Sequence, residues 1–176
     1  MPMLPHTSQA SAPQAAQTHA APADPAATCA QVPAGVARLV QWYEQLTPQA
    51  LDALPGCYAA DAHFKDPFND VRGLPCIRQV FAHMFETLDA PRFTVTAQLV
   101  QGQQAFLAWE FRFYMRRWRR GQQQCIRGGT WLHLNAQGLV TVHRDYWDTA
   151  EELYGQLPVL GTLMRCLRRA GSATQT

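Results

Sequence analysis

Three side chains that could do chemistry alternate along one predicted strand, in the segment LVTVHRDYWD near the end of the sequence. His143, Asp145 and Trp147 occupy every second position, so on a strand they share one face, opposite to Arg144 and Tyr146. A dry core would penalise two ionisable groups without partners, whereas a concave pocket could use them for acid–base chemistry. We therefore expect this strand to form part of the wall of a small-molecule pocket.

Three further features of the sequence admit both a structural and a chemical interpretation. Asp66 stands directly before Pro67, and an aspartate in this position often caps a loop, although it could equally face a pocket. A strand histidine such as His143 is often a hydrogen-bonded core residue, yet its titration range also suits an acid or base. Tyr43 on the inner face of the first predicted helix could be a core residue or a hydrogen-bond donor to a ligand.

Hydrophobic periodicity predicts the elements that must position these residues. Residues 1–33 are rich in Ala, Pro and Gln and lack any helical or strand period, which is typical of a disordered tail. Beyond this tail, apolar residues at helical spacing predict helices, and segments separated by turn residues predict strands. The predicted helices cover residues 34–46, 47–54, 74–88 and a segment from 149, and the predicted strands cover residues 63–67, 92–101, 104–115, 124–135 and 139–147.

Helices followed by a run of four antiparallel strands indicate the α+β class. We expect one cone-shaped domain over residues 34–170, in which the N-terminal helices pack on a curved, mainly antiparallel sheet and a C-terminal helix follows. Residues 171–176 are predicted to be a polar, disordered tail. A chain of 176 residues is long enough for one domain with a sizeable core.

Charge, hydropathy and cysteine content narrow the classes of function. The formal net charge of +2 is too small to indicate a nucleic-acid or membrane partner by itself. No apolar run approaches the roughly 20 residues that span a bilayer. The five cysteines are odd in number and far apart, which favours reduced thiols in a cytoplasmic protein. Because the sequence has no metal-ligand or nucleotide-binding motif, we expect no cofactor.

The order of elements and the segments YAADAHFKDPF and HRDYWD resemble the nuclear transport factor 2-like superfamily, over about residues 34–161. This superfamily includes ketosteroid isomerases, SnoaL-like polyketide cyclases and limonene-epoxide hydrolases. Resemblance to the isomerases implies that Asp66 moves a proton and that Tyr43 is one donor of an oxyanion hole. The other donor in that family is an aspartate, and Thr130 stands in its place here as a weaker, substrate-binding hydroxyl.

The closing strand is similar to that of limonene-epoxide hydrolase. This similarity implies a catalytic role for Asp145, with Arg112 and Glu110 on a neighbouring strand setting its charge, although the order of these two charges is reversed here. The same three residues could instead form a purely structural network of ion pairs. Phe64 and Asp66 stand where that family has the tyrosine and asparagine that help to hold the nucleophilic water.

Two surface features bear on partners. Aromatic residues that alternate with charged residues predict an outer sheet face, which we expect to form a homodimer: Trp109, Phe111, Phe113, Trp131 and His133. The run RRWRR at residues 116–120 favours a solvated hairpin over a nucleic-acid site, since no second basic stretch accompanies it.

Taken together, the sequence predicts a SnoaL-like domain that binds a hydrophobic small molecule in a mostly apolar pocket. Isomerisation, cyclisation and epoxide hydration are the candidate reactions. Resemblance to the SnoaL-like cyclases implies that His143 and Asp145 transfer protons there, and Trp147 would line the pocket wall. The alternative is a non-catalytic ligand-binding or protein-interaction module of the same fold, which the replacements at Thr130 and Phe64 favour.

Overall fold

The structure is a computed structural model and describes residues 25–117 and 121–148. Within these ranges the chain forms two α-helices, one short 3₁₀ helix and six β-strands. In chain order the elements are α1 (Pro25–Glu44), the 3₁₀ helix (Gln49–Gly56), β1 (Tyr58–Lys65), β2 (Asp70–Arg72), α2 (Leu74–Thr87), β3 (Leu88–Gln101), β4 (Gln104–Met115), β5 (Gln123–Leu134) and β6 (Val140–Trp147).

The six strands form one open, mixed sheet in the order β2-β1-β6-β5-β4-β3. The strands β3, β4, β5 and β6 form an antiparallel meander, and β6 then pairs in parallel with β1. This arrangement confirms the predicted α+β class and the mainly antiparallel sheet. The predicted C-terminal helix and the 171–176 tail lie outside the described residues.

Helix α1 begins earlier than the sequence predicts. The prediction of a disordered tail up to residue 33 is wrong for its last part, because the helix begins at Pro25 and Val32 is already buried. Alanine-rich sequence favours the helical state, and Pro33 inside the helix does not prevent about two further turns upstream. Thr47 precedes the 3₁₀ helix, and its side-chain oxygen accepts a hydrogen bond from the backbone N–H of Ala50.

The core lies between the helices and the inner face of the sheet. Residues from α1, α2, β4 and β5 meet there, and Leu39, Ile77, Leu107 and Leu132 are each 0% exposed. Along β4 and β5 the buried residues alternate with exposed ones, as a sheet with one solvated face requires. None of the helices in the described ranges has the length and apolar character needed to cross a membrane.

A close contact between two glycines fixes α1 against the turn that joins β5 to β6. A Cβ atom placed on Gly35 would lie 2.1 Å from the backbone oxygen of Gly138. Arg38, one helical turn further along, donates hydrogen bonds to the carbonyl oxygens of Gly138 and Gly56. The helix therefore sits directly on the turn, where no side chain fits between the two backbones.

The substitution Gly35→Ala should destabilise the protein by about 2 kcal/mol, because an unyielding backbone atom opposes the new methyl group. The helical preference for alanine over glycine offsets only part of this cost. Gly56→Ala is the matched control, since a Cβ there has no neighbour within 4 Å. Urea unfolding of the three proteins measures the effect, and equal stability of Gly35→Ala and wild type would contradict the contact.

Candidate functional site

A cavity of about 440 Å³ opens between α2 and the inner face of the sheet. Its volume lies in the range of small-molecule sites. Most of its lining is apolar, and the aromatic residues among it are Phe64, Phe68, Phe81, Phe93, Trp109, Phe111, Phe113 and Trp147. The polar residues of the lining are Asp66, Asn69, His83, Thr87 and Asp145.

Asp145 belongs to the lining of this cavity. One carboxylate oxygen, Oδ1, accepts a hydrogen bond of 2.5 Å from the hydroxyl of Thr130 and lies 2.9 Å from Nε2 of His143. Oδ2 makes no hydrogen bond with any other described residue, and the side chain is 17% exposed. The carboxylate is thus held firmly through Oδ1, and Oδ2 retains its capacity to accept a hydrogen or a proton.

Trp109 sets the direction of the Thr130 hydrogen bond. The indole N–H can only donate, and it donates to the hydroxyl oxygen of Thr130 at 2.8 Å. The hydroxyl hydrogen of Thr130 is consequently available for Asp145 alone. Thr130 was predicted to bind a substrate, but it is 1% exposed and is not part of the cavity lining, and its hydroxyl instead positions the carboxylate of Asp145.

Two buried tyrosines complete the chain on the far side of His143. The hydroxyl of Tyr58 lies 3.0 Å from Nδ1 of His143, and the hydroxyl of Tyr43 lies 3.1 Å from the same atom. The two hydroxyl oxygens are 3.2 Å apart. Because a carboxylate can only accept, Nε2 of His143 carries the hydrogen shared with Asp145, and Nδ1 accepts from a tyrosine.

The hydrogen bonds of this chain all point towards Asp145. Neutral His143 lets one tyrosine hydroxyl donate to Nδ1 and the other donate to its neighbour's oxygen, so each hydrogen has an acceptor. A doubly protonated imidazole would reverse that order and leave one tyrosine hydrogen without an acceptor among the described residues, which is costly in a buried site. The geometry therefore favours a neutral histidine beside an ionised Asp145.

Burial raises the pKa of Tyr43 well above its usual range, and the nearby Tyr58 and Asp145 add to the increase. Burial likewise raises the pKa of Tyr58. A raised folded-state pKa means that each phenol contributes stability below about pH 10, where unfolded tyrosine begins to ionise, and that this contribution is lost above it.

An alkaline ultraviolet titration should show that neither buried tyrosine ionises while the protein is folded. The double variant Tyr43→Phe/Tyr58→Phe should give the same folded-state curve as the wild type. The wild type should then release two additional phenolic protons in the unfolding transition. A smaller folded-state amplitude in the double variant would mean that at least one of these hydroxyls reaches solvent.

Aromatic rings cover the imidazole of His143 and line the cavity. Phe64 stacks on the imidazole of His143 with the ring centroids 4.5 Å apart, and its ring also forms part of the cavity wall. Phe68 is 58% exposed and meets the ring of Trp147 edge-on at 5.4 Å. Phe64 and Trp147 therefore line the cavity, as the sequence predicts for substrate-binding residues.

Asp66 caps a tight loop and also borders the cavity. Its Oδ1 accepts hydrogen bonds from the backbone N–H groups of Phe68 and Asn69 and from the Asn69 amide, and its Oδ2 accepts one more from that amide. The sequence left open whether Asp66 caps a loop or faces a pocket. In the structure its carboxylate organises the loop, and the residue also belongs to the cavity lining.

The prediction that Glu110 and Arg112 control Asp145 is wrong about their position. Both side chains lie on the outer face of the sheet, where Arg112 and Arg127 form ion pairs with Glu110. The inner positions of β4 belong to residues 105, 107, 109, 111 and 113. Burying apolar groups and solvating charged ones is the cheaper orientation of this strand.

The predicted outer aromatic face is wrong for the three aromatics of β4. Trp109, Phe111 and Phe113 are buried and line the cavity. Trp131 and His133 lie on the opposite face of the sheet, and Trp131 is 42% exposed. The outer face therefore carries a different aromatic set, which includes Trp131 and its cross-strand partner Phe106.

Two residues of the hydrogen-bond chain, Tyr58 and Trp109, were not among the predicted site residues. Tyr58 escapes because the predicted first strand begins at residue 63, whereas β1 begins at Tyr58 itself. A signal for Trp109 does exist in the sequence. Gly128 stands opposite it, and a Cβ there would lie 2.4 Å from the Trp109 ring, so a glycine inside a strand marks the place where the indole lies.

Comparisons with known proteins agree with this geometry at the level of the fold. The profile of the SnoaL-like domain family matches residues 39–143. No curated protein sequence matches the chain.

Several solved structures share the fold at low sequence identity. A protein from Jannaschia sp. CCS1 assigned as a SnoaL-like polyketide cyclase is 17% identical, with 69% of this chain and 88% of that chain covered and a TM-score of 0.60. An LEH-like epoxide hydrolase from M. tuberculosis is 13% identical, with 78% and 97% covered and a TM-score of 0.58. A hypothetical protein with a ketosteroid isomerase-like fold from Catenulispora acidiphila DSM 44928, in complex with trimethylamine, is 18% identical, with 69% and 91% covered and a TM-score of 0.58.

Proposed function

The chain belongs to the SnoaL-like domain family, and we propose that it is an enzyme in which Asp145 acts as a general base on a hydrophobic small molecule. Fold membership alone does not define a reaction, because this fold carries several activities and the solved relatives are less than 20% identical. The proposal therefore rests on the site itself.

The observation that carries the proposal is the free oxygen of Asp145 in an apolar cavity. Thr130 and His143 occupy only Oδ1 of the carboxylate, so Oδ2 can approach a proton of a bound substrate. A positioned base of this kind contributes about 10²–10⁴-fold to a proton transfer.

Among the three candidate reactions, proton removal that leads to cyclisation has the most support. Epoxide hydration through an arginine relay has less, because Arg112 and Glu110 lie on the outer face of the sheet. An isomerase oxyanion hole also has less, since Tyr43 and Thr130 hydrogen-bond to the Asp145–His143 chain and lie outside the cavity lining. A substrate whose own carbonyl groups delocalise the carbanion needs neither an arginine relay nor an oxyanion hole.

The test is a comparison of three substrate classes with the purified protein. Enzyme-dependent deuterium incorporation from D₂O into 1,3-diketones, followed by proton NMR, is the expected result. A steroid enone and a terpene epoxide are assayed in parallel for isomerisation and hydration. Turnover of the epoxide without exchange of the diketones would replace the proposed reaction with hydrolysis.

A non-catalytic ligand-binding module is the second candidate. It is favoured by the lack of any Lys or Arg among the cavity-lining residues within the described ranges, since these would stabilise a developing negative charge. Saturable binding of a diketone without exchange of its protons would support this candidate.

We also propose that the outer face of the sheet joins two copies of the chain. Phe106 and Trp131 pair across β4 and β5, and Tyr146 on β6 adds a third ring that is 50% exposed. An aromatic patch on a sheet face is typical of a subunit contact. Sedimentation equilibrium should give a two-chain mass for the wild type and a one-chain mass for Trp131→Lys, and a monomeric wild type would contradict this proposal.

The expected compartment is the cytoplasm. The odd number and wide spacing of the five cysteines favour this expectation.

A further inference from the structure

We propose that the ligand of this cavity carries a cationic amine, such as a tertiary or quaternary ammonium group attached to an apolar body. The inference rests on the proposed function only in taking the same cavity as the ligand site. It adds the charge of the ligand.

The charge of the cavity lining is the first observation. Two carboxylates, Asp66 and Asp145, belong to the lining, and among the residues that the structure describes no Lys or Arg does. The one imidazole of the lining, that of His83, is 72% exposed and lies 3.4 Å from the carboxylate of Glu86. An apolar cavity that contains two carboxylates without a compensating cation favours a ligand that brings the positive charge.

Two cations of the protein lie near the same two carboxylates but at a separate crevice on the surface. Lys65 and Arg144 border an open crevice there together with Asp66 and Asp145. The ammonium group of Lys65 pairs with Asp70, and the guanidinium group of Arg144 lies over the ring of Tyr146 at 5.0 Å. Both cations are thus engaged outside the cavity, and neither belongs to its lining.

Aromatic rings beside the mouth provide the second observation. Phe68 and Trp147 meet edge-on at 5.4 Å, and both belong to the cavity lining together with Asp66. Aromatic faces attract ammonium groups, and tryptophan does so most strongly. Asp66 retains accepting capacity, because its Oδ2 receives only one hydrogen bond among the described residues. Rings and a carboxylate at one mouth form a receptor for an ammonium group.

A cationic substrate would also supply what the site lacks for the proposed chemistry. Proton removal transfers negative charge from Asp145 to the substrate, and the other carboxylate of the lining, that of Asp66, would oppose that charge. A positive charge on the same substrate offsets this repulsion. The ammonium group would lie beside Asp66 at the mouth, while the deeper part of the substrate contacts Asp145.

Three probes of nearly the same shape test the inference. Phenyltrimethylammonium, tert-butylbenzene and benzenesulfonate differ mainly in charge, and NMR titration of the Trp147 indole resonance gives a dissociation constant for each. We expect the cation to bind about tenfold or more tightly than the neutral probe. The sulfonate should bind more weakly than either of the other probes. Added salt should lower the binding affinity of the cation only.

Two variants locate the charge effect. Asp66→Asn keeps the oxygen that caps the loop, so the fold is preserved. This variant should bind the cationic probe about fivefold more weakly than the wild type and the neutral probe with unchanged affinity. Asp61→Asn removes the same charge from an exposed position of β1 outside the cavity lining and should change neither. Thermal unfolding of both variants verifies that they are folded.

The outcomes separate this inference from the proposed function. Equal affinity for the cation and the neutral probe, or tightest binding of the sulfonate, would overturn the inference and leave the cavity as the ligand site. A loss of cation affinity in Asp61→Asn as large as in Asp66→Asn would also overturn it, because the effect would then be one of overall charge. Failure of all three probes to perturb Trp147 would overturn both proposals.

Discussion

Replacement of Asp145 by asparagine should lower the rate of substrate proton exchange about 10²–10⁴-fold, because an amide cannot accept the proton that the carboxylate removes. The change should have little effect on substrate affinity for a neutral carbon acid, since the amide occupies the same space. A fall in kcat with a nearly constant KM is therefore expected.

The geometry of the hydrogen-bond chain explains why this variant should remain folded. The amide oxygen of asparagine can accept the same hydrogen bonds from Thr130 and His143 that Oδ1 accepts in the wild type. The amide nitrogen would then take the place of Oδ2. We expect a stability change within about 1 kcal/mol, because no buried group loses its partner.

The measurement is the rate of deuterium incorporation into the 1,3-diketone that the wild type exchanges fastest, at several substrate concentrations. Asp61→Asn is the matched control, since it removes one carboxylate from an exposed position and should exchange at the wild-type rate. Exchange by Asp145→Asn at close to the wild-type rate would exclude Asp145 as the base.

The sequence predicts correctly which side chains of β6 face inward, but it does not do so for β4. Along β6 only one set of alternate positions combines His143 with Asp145, and the structure directs that set inward. Along β4 the aromatic residues at odd positions alternate with charged Glu110 and Arg112. Resemblance to an epoxide hydrolase predicts that the charged pair faces inward, whereas the apolar pattern of β4 predicts that it faces outward. The structure follows the apolar pattern, because burying the aromatic residues is energetically favourable.

The buried chain behind Asp145 could not be predicted from local pattern. Tyr43, Tyr58 and His143 are brought together by packing of α1 on the sheet and by parallel pairing of β1 with β6. The contact between Tyr58 and His143 spans 85 residues of sequence. Periodicity determines which face a residue occupies, but it carries no information on which distant strand will lie beside it.

The largest expected effect on stability concerns this chain. His143→Leu should destabilise the protein by about 3 kcal/mol, because it removes the group that both tyrosines and Asp145 contact. The volume of the side chain is nearly kept, so the loss reports mainly on hydrogen bonding. Burial of the imidazole is complete, with 0% of the side chain exposed, and water cannot replace it without a rearrangement.

Removal of the two tyrosine hydroxyls should show strong coupling between them. Nδ1 of His143 accepts one hydrogen bond, and either Tyr43 or Tyr58 lies close enough to donate it. Each single change to phenylalanine should therefore cost about 1 kcal/mol, since the other hydroxyl still satisfies the imidazole. The double change leaves a buried nitrogen without a donor and should cost about 3 kcal/mol, more than the sum of the two single changes.

Urea unfolding of the wild type, both single variants and the double variant forms a closed cycle that measures this coupling directly. His143→Leu added to the double variant provides the control, because the tyrosine hydroxyls have no imidazole to satisfy in that background. The excess cost should then disappear, since an apolar side chain in place of the imidazole leaves no unpaired nitrogen. Strict additivity of the two single changes would mean that each hydroxyl has a separate partner and that the chain does not converge on His143.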